Sequence, residues 1–247
     1  MADGGLTYFV SDVHLGLDVK DKAGREARFV AFLRSIDPER TGALYMLGDI
    51  WDFWYEYRDV VPKGYVRVFA ALTALMDAGV KVCFIPGNHD IWCYSYFSEL
   101  GMEVVEQPLL REIGGKTFLL AHGDGLGEGM RSYKLMRWAF HWKPFQRLFS
   151  LLHPWIAFRL GNGWSRSSRL ARDIPYEFRG GDEPLYRYSL EMAGKTRIDH
   201  FIYGHYHCRV SATLPCGAGF TVLKDWMDTS PYAVYDGSSL RLCEYGG

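Results

Sequence analysis

Five short clusters carry the side chains of this chain that could do chemistry. They are Asp12-Val13-His14, Gly48-Asp49-Ile50-Trp51-Asp52, Gly87-Asn88-His89-Asp90, His122-Gly123-Asp124 and Gly204-His205-Tyr206-His207. Together they span 19 residues yet hold five of the eight histidines. Any one of them alone reads as an ordinary polar turn; the ordered set of five reads as one site. Carboxylate, imidazole and amide oxygen together suit hard and borderline divalent ions such as Mn²⁺ and Fe²⁺. No cysteine lies in a cluster, which argues against a structural zinc site. Two ions about 3.5–4 Å apart can share one carboxylate and direct an in-line attack on phosphorus.

Such loops need a scaffold that gathers them. Each cluster follows an apolar run with strand character: "TYFV" (7–10), "ALYML" (43–47), "VKVCFI" (80–85), "KTFLLA" (116–121) and "HFIYG" (200–204). Between the first three lie "GREARFVAFLRSI" (24–36) and "YVRVFAALTALMDAG" (65–79), whose apolar residues recur at helical spacing. This βαβαβ order predicts an α/β fold with a mostly parallel sheet. In open sheets of that kind ligands collect outside the carboxyl ends of the strands. The run "LLREI-GG-KTFLLA" (109–121) predicts a hairpin, its Gly-Gly suited to a primed two-residue turn. The tail from His200 returns to short strands. Roughly 128–190 breaks the pattern as a helical, Trp- and Arg-rich insertion or cap.

With 247 residues, 48% of them apolar and 23% charged, the chain has room for a sizeable core and is expected to form a single domain over 1–247. A net charge of −1 gives no sign of a polyanionic partner such as nucleic acid. Five cysteines without framework spacing fit the reduced thiols of a cytosol. No signal peptide and no apolar stretch near the ~20 residues of a membrane span is present, so the expectation is a cytoplasmic protein, soluble or peripheral.

The ordered motifs, from residue 12 to 207, resemble the calcineurin-like metallophosphoesterase superfamily. That resemblance implies the calcineurin-like phosphoesterase two-sheet sandwich flanked by helices, and two divalent ions at the strand ends. It implies that Asp12, His14, Asp49 and His207 hold the first ion, and that Asp49, Asn88, His122 and His205 hold the second. Asp49 would then be a shared, catalytic ligand, and a water between the ions the nucleophile. His89, beside Asn88, would serve the phosphoryl group as a cation or acid; the alternative is a histidine pinned by Asp90. Asp52, Asp90 and Asp124 would orient ligating imidazoles, or simply form turns.

Between Gly129 and Arg172 there is no Asp or Glu and there are nine basic residues: Arg131, Lys134, Arg137, Lys143, Arg147, Arg159, Arg166, Arg169 and Arg172. Interleaved Trp, Phe, Leu and Ile give a large apolar face. This composition reads as an interfacial, lipid-contacting element, or as a cap that packs its own apolar face on the body. Its aliphatic content suits acyl chains better than the bases of a single-stranded nucleic acid.

Within the superfamily, a basic and apolar insertion at this place is similar to that of the UDP-2,3-diacylglucosamine pyrophosphatases of lipid A synthesis. The resemblance implies a cap around the acyl chains and water attack on the phosphorus next to uridine. The products would be UMP and 2,3-diacylglucosamine 1-phosphate. Manganese is then the expected ion, with Fe²⁺ or Zn²⁺ as alternatives, and the inner face of the inner membrane the expected place of work. Asn88, His89, Asn162, Ser165, Arg166 and Arg169 would contact the nucleotide-lipid substrate, and a tunnel lined by Trp138, Phe145, Phe149 and Trp155 beside the metals is the observation that would support this reading most. Two departures stand out. That family carries arginine where this chain has His89, and a small residue where it has Tyr206. Rival readings keep the enzyme but change the ester, or keep the fold as a non-catalytic scaffold. Intact ligand positions argue against the latter.

Overall fold

The computed structural model describes residues 5–127, 131–170 and 176–246, leaving aside the side chains of 131–134, 136 and 166–170. Two mixed sheets stack face to face. The first has six strands in the order β11-β10-β1-β2-β3-β4, and the second five in the order β5-β6-β7-β9-β8. In the first, β1 (Leu6–Val10), β2 (Thr41–Met46), β3 (Lys81–Phe84) and β4 (Glu103–Val104) run parallel, while β10 (Pro231–Tyr235) pairs antiparallel with β1 and with β11 (Leu240–Glu244). In the second, β6 (Lys116–Leu120), β7 (His200–Tyr203) and β9 (Gly219–Val222) run parallel. They are flanked by antiparallel β5 (Leu109–Ile113) and β8 (Val210–Thr213).

Alternation along the strands explains the layering, because successive side chains leave opposite faces of a sheet. Phe9, Tyr45, Leu47, Cys83 and Ile85 of the first sheet meet Phe118, Leu120 and Ile202 of the second. The neighbouring positions Val10, Leu44, Met46, Val82 and Phe84 face the other way, onto α1 (Lys22–Ser35) and α2 (Val66–Asp77). On α2 the buried residues Val68, Ala71, Leu72 and Leu75 follow the i, i+3, i+4, i+7 spacing of one helix face. Each fully buried Leu or Val there contributes about 1.5–3 kcal/mol. On α1 the Asp21 carboxylate accepts from Gly24 N at 2.9 Å and caps the first turn.

The hairpin β5–β6 turns at Gly114 (φ 55°) and Gly115 (φ 73°), the two positive values a type I′ turn needs. Three helices follow, α4 (Arg131–His141), α5 (Lys143–Ser150) and α6 (Pro154–Leu170); the short α3 is Tyr96–Glu99. The later helix α7 (Pro184–Lys195) instead covers the outer face of the second sheet, packing Leu185 against the cluster that contains Phe201, Phe220 and Val222.

Donors from the body hold the three-helix segment by backbone carbonyls, those of Phe140 and Leu152 lying where a helix end leaves them unsatisfied. Trp92 Nε1 donates to Phe140 O at 2.9 Å, Tyr55 OH to Gln146 O at 2.8 Å and Tyr57 OH to Leu152 O at 3.1 Å. No described helix is long and apolar enough to cross a membrane.

Candidate metal centre

All five clusters sit at the carboxyl ends of β1, β2, β3, β6 and β7. The backbone there is unusual. Among the described residues seven non-glycine positions have positive φ, and five of these are Asp12, His14, Asp49, His205 and His207. Left-handed backbone at a non-glycine residue costs on the order of 1–3 kcal/mol and persists where surroundings enforce it, which is commonest at functional sites. Close approach is also enforced by glycine. A Cβ on Gly204 would stand 1.9 Å from Ser11 Oγ and 2.4 Å from Asp12 Oδ2, and one on Gly87 would stand 2.3 Å from Asp49 Oδ1.

The side chains converge on Asp49. Its Oδ2 lies 3.3 Å from His122 Nε2, 3.8 Å from His14 Nε2 and 3.9 Å from His89 Nε2, while its Oδ1 accepts from His89 N at 2.9 Å. Asp12 Oδ1 lies 3.7 Å from both His14 Nε2 and His207 Nδ1, and Asp12 Oδ2 accepts from His205 N at 3.0 Å. Three overlapping sets have ligand atoms within 4.8 Å of one another: Asp12, His14 and His207; His14, Asp49 and His89; Asp12, Asp49 and His122. His205 is buried with its ring centroid 5.1 Å from that of His122.

Several inward atoms have no hydrogen-bond partner among the described residues. Asp12 Oδ1, Asn88 Oδ1 and His122 Nε2 are buried in this condition, the last facing Asp49 without hydrogen-bond alignment. A buried polar group left unsatisfied costs about 1–3 kcal/mol. Oxygen and imidazole nitrogen in this mixture are the donors that divalent Mn, Fe or Zn accept, so the residues fit such ions. Electrostatics agree. Burial pushes the Asp49 carboxyl up, but the His122, His89 and His14 imidazoles outweigh it and hold the group well below the usual carboxylate range. Burial pulls His122 down, and Asp49 outweighs that and raises it well above the ordinary imidazole value.

The surrounding carboxylates divide. Asp52 Oδ1 lies 3.2 Å from His14 Nδ1. Asp90 does not address an imidazole with its hydrogen bonds. It accepts from the amides of Gly87 (2.7 Å), Ile50 (2.8 Å), Trp51 (3.2 Å) and Asp49 (3.3 Å), tying the β2 and β3 loops together. Burial and the Asp49 charge raise it to about 7 against those amide bonds. Asp124 accepts from Gln107 Nε2 at 2.5 Å and pairs with Arg137 of α4. His89 is fixed by the Asp52 carbonyl, 2.7 Å from its Nδ1, rather than by Asp90. Donation from Nδ1 leaves Nε2 turned to the centre.

A sixth strand end contributes what the motifs did not show. Asp225 follows β9 and its Oδ2 stands 3.1 Å from His207 Nδ1. The run "FTVL" followed by Lys224-Asp225 repeats the strand-then-carboxylate pattern of the other clusters, and without a histidine beside it the signal passes for a turn.

Beside the centre lies a cavity of about 260 Å³ lined by Asp52, Asn88 and His89 together with Phe53, Trp92, Phe140, Phe145, Phe149, Leu160 and Trp164. Phe145 and Phe149 line it as expected. Trp138 and Trp155 do not: they are 60% and 61% exposed, and Phe140 and Trp164 take the expected place. Among the expected substrate contacts, Asn162 is exposed, Ser165 is buried and donates to Asp52 Oδ1 at 2.7 Å, and the side chains of Arg166 and Arg169 lie outside the described residues.

Residues 6–209 match the family model of the calcineurin-like phosphoesterases. A UDP-2,3-diacylglucosamine hydrolase of Porphyromonas gingivalis is 35% identical to this chain, covering 95% of each. A UDP-2,3-diacylglucosamine hydrolase of Neisseria meningitidis serogroup B is 30% identical, covering 89% of each. Among solved structures, an archaeal phosphodiesterase aligns over 97% of this chain and 99% of its own at 13% identity, with a TM-score of 0.49.

Proposed function

Because the chain belongs to the calcineurin-like phosphoesterase family and is a metal-dependent hydrolase of phosphoesters, we propose that its substrate is UDP-2,3-diacylglucosamine, cleaved at the pyrophosphate. The observation that carries this reading is the apolar cavity that shares Asp52, Asn88 and His89 with the Asp/His cluster. The lining is almost wholly apolar, with Phe53, Phe140, Phe145, Phe149 and Leu160 among its walls, which suits an acyl chain. An acyl chain gains about 0.8 kcal/mol for each methylene it buries there. The Porphyromonas gingivalis and Neisseria meningitidis relatives, which align over nearly the whole chain, carry the matching name.

In this reading Asp12, His14, Asp49 and His207 hold one divalent ion, and Asp49, Asn88, His122 and His205 hold the other, with manganese preferred. When bound, the ions supply Lewis-acid polarisation of the phosphoryl group and activate water at neutral pH. The chain's own residues do the rest. Asp90 fixes the loop amides that place Asp49. His89, held at Nδ1 by the Asp52 carbonyl, presents Nε2 to the phosphoryl oxygens, where as a cation it offsets charge or protonates the departing group. The cavity walls exclude water from the acyl chains and so orient the scissile bond.

The outer face of α4–α6 exposes Leu135, Trp138, Trp142, Leu148, Leu151 and Trp155, with the Arg159 guanidinium stacked 4.7 Å over Trp155. Apolar side chains mixed with cations suit an anionic bilayer surface, so this face rests on the cytoplasmic side of the membrane that holds the substrate. Co-sedimentation with anionic lipid vesicles, weakened in Trp138→Glu, tests that placement.

The reaction is tested by incubating manganese-loaded protein and the lipid nucleotide in detergent made up in ¹⁸O water. The reading requires UMP carrying ¹⁸O. Absence of UMP, or label on the glucosamine 1-phosphate instead, contradicts it.

A further inference from the structure

Two buried carboxylates outside the proposed ligand sets stand behind the two histidines of the first metal position. Asp52 Oδ1 lies 3.2 Å from His14 Nδ1, and Asp225 Oδ2 lies 3.1 Å from His207 Nδ1, the nitrogen that is also 3.7 Å from Asp12 Oδ1, so that Nε2 of His207 is the nitrogen left for the ion. The other oxygen of Asp225 accepts from Met227 N at 3.0 Å, which fixes the carboxylate as its strand ends. His122, of the second position, has a different backing: its Nδ1 meets the Leu47 carbonyl at 2.9 Å. A carboxylate behind a ligating imidazole fixes its tautomer and ring orientation and raises its basicity. The ligand charges lean the same way. The first set holds two carboxylates, Asp12 and Asp49, whereas the second shares Asp49 and adds the neutral amide of Asn88.

We propose that Asp225 is a positioning residue for His207 and that, with Asp52 behind His14, it makes the first metal position the tighter of the two. The inference rests on the ligand sets given above but not on the identity of the substrate. Asp225 acts through the His207 ring and need not touch the substrate. The centre then fills in order, and the second ion is the one lost first on dilution or brief chelation.

Calorimetric titration of the chelator-stripped full chain with manganese chloride alone tests this. Wild type is expected to show a tight and a weak class of site. Asp225→Asn is expected to weaken the tight class about 10–100-fold, the usual cost of losing such a partner, and to leave the weak class unchanged. Asp225→Glu is expected to regain part of the loss, and His122→Ala to remove the weak class alone. Melting of each stripped variant checks that it is folded; should Asp225→Asn fail, Asp52→Asn carries the same expectation. A tight class unchanged in Asp225→Asn or Asp52→Asn, or two classes weakened in parallel, overturns the proposal. Loss of the tight class in His122→Ala overturns the ligand sets and the proposal with them. Neither result bears on whether the lipid nucleotide is cleaved.

Discussion

One carboxylate oxygen joins the α4–α6 segment to the metal centre: Ser165 Oγ on α6 donates to Asp52 Oδ1 at 2.7 Å, and that same oxygen lies 3.2 Å from His14 Nδ1. One turn earlier on α6, Gly161 sits against Phe53, so that a Cβ there would stand 2.4 Å from the ring. The helix is thus seated on two consecutive body residues, one by a hydrogen bond and one by close approach.

Removing the bond has a measurable cost. Ser165→Ala leaves a buried carboxylate short of one donor, and hydrogen bonds to charged groups contribute about 1.5–3 kcal/mol. Urea unfolding is expected to show a loss of that size. Turnover of the lipid nucleotide is expected to fall more than turnover of a small phosphodiester without acyl chains, which buries less surface in the cavity. Gly161→Ala is expected to cost about 1–3 kcal/mol by overpacking.

Metal removal should destabilise the chain as well as silence it. Five strand-end residues hold left-handed backbone, and buried Asp12 Oδ1 and Asn88 Oδ1 have no hydrogen-bond partner among the described residues. Manganese at 100 times its dissociation constant adds about 2.7 kcal/mol, and for a chain of this length each kcal/mol moves Tm about 2–4 °C. Scanning calorimetry with manganese and with chelator is expected to differ by several degrees. Asp49→Asn, which removes the charge of the proposed shared ligand, is expected to erase most of that difference and the activity together.

In the proposed mechanism His89 carries the electrostatic part of the chemistry. Loss of one preorganised donor to a developing charge typically costs about 10²–10³ in turnover, and His89→Ala is expected to lie in that range with manganese affinity little changed. His89→Arg restores the residue expected in lipid-nucleotide hydrolases and is expected to keep most of the activity. A drop as large as that of alanine would show that the imidazole is needed as an acid and not only as a cation.

Thiol chemistry distinguishes the two sheets' interior from the surface. Burial, helped by Glu103 and opposed by Arg111, pushes the Cys83 thiol up to about 12. At pH 8 only about one Cys83 in ten thousand is a thiolate, the reactive form. Cys216 is exposed. Native labelling with iodoacetamide followed by mass spectrometry is expected to modify Cys216 first, and Cys83 only on unfolding.

Much of this was legible in the primary structure because chain-local patterns decide it. Strand alternation, the helix face of Val68 to Leu75 and the Gly114-Gly115 turn all depend on neighbours a few residues away. The convergence of Asp12, Asp49, His122 and His207 follows from parallel strands, which put like ends together. What was hidden depends on direction in three dimensions. Asp90 is adjacent to His89 in the chain, yet the loop turns its carboxylate onto the amides of residues 49–51. Asp225 pairs with a histidine 18 residues earlier, on the far side of β8 and β9 in the chain. In the α4–α6 segment apolar residues occupy several helix faces, so spacing alone did not tell that Phe140 and Trp164 line the cavity while Trp138 and Trp155 face outward.

The central claim is that the cavity and the metal centre act together on an acylated nucleotide. Its most direct test compares kcat/KM of the manganese-loaded protein for UDP-2,3-diacylglucosamine and for the same nucleotide sugar without acyl chains. The acylated substrate is expected to be favoured by at least about 100-fold, some 2.7 kcal/mol at 1.36 kcal/mol for each tenfold step, with the preference reduced in Phe149→Asp. Equal constants for the two substrates, or a preference that survives Phe149→Asp unchanged, would contradict it.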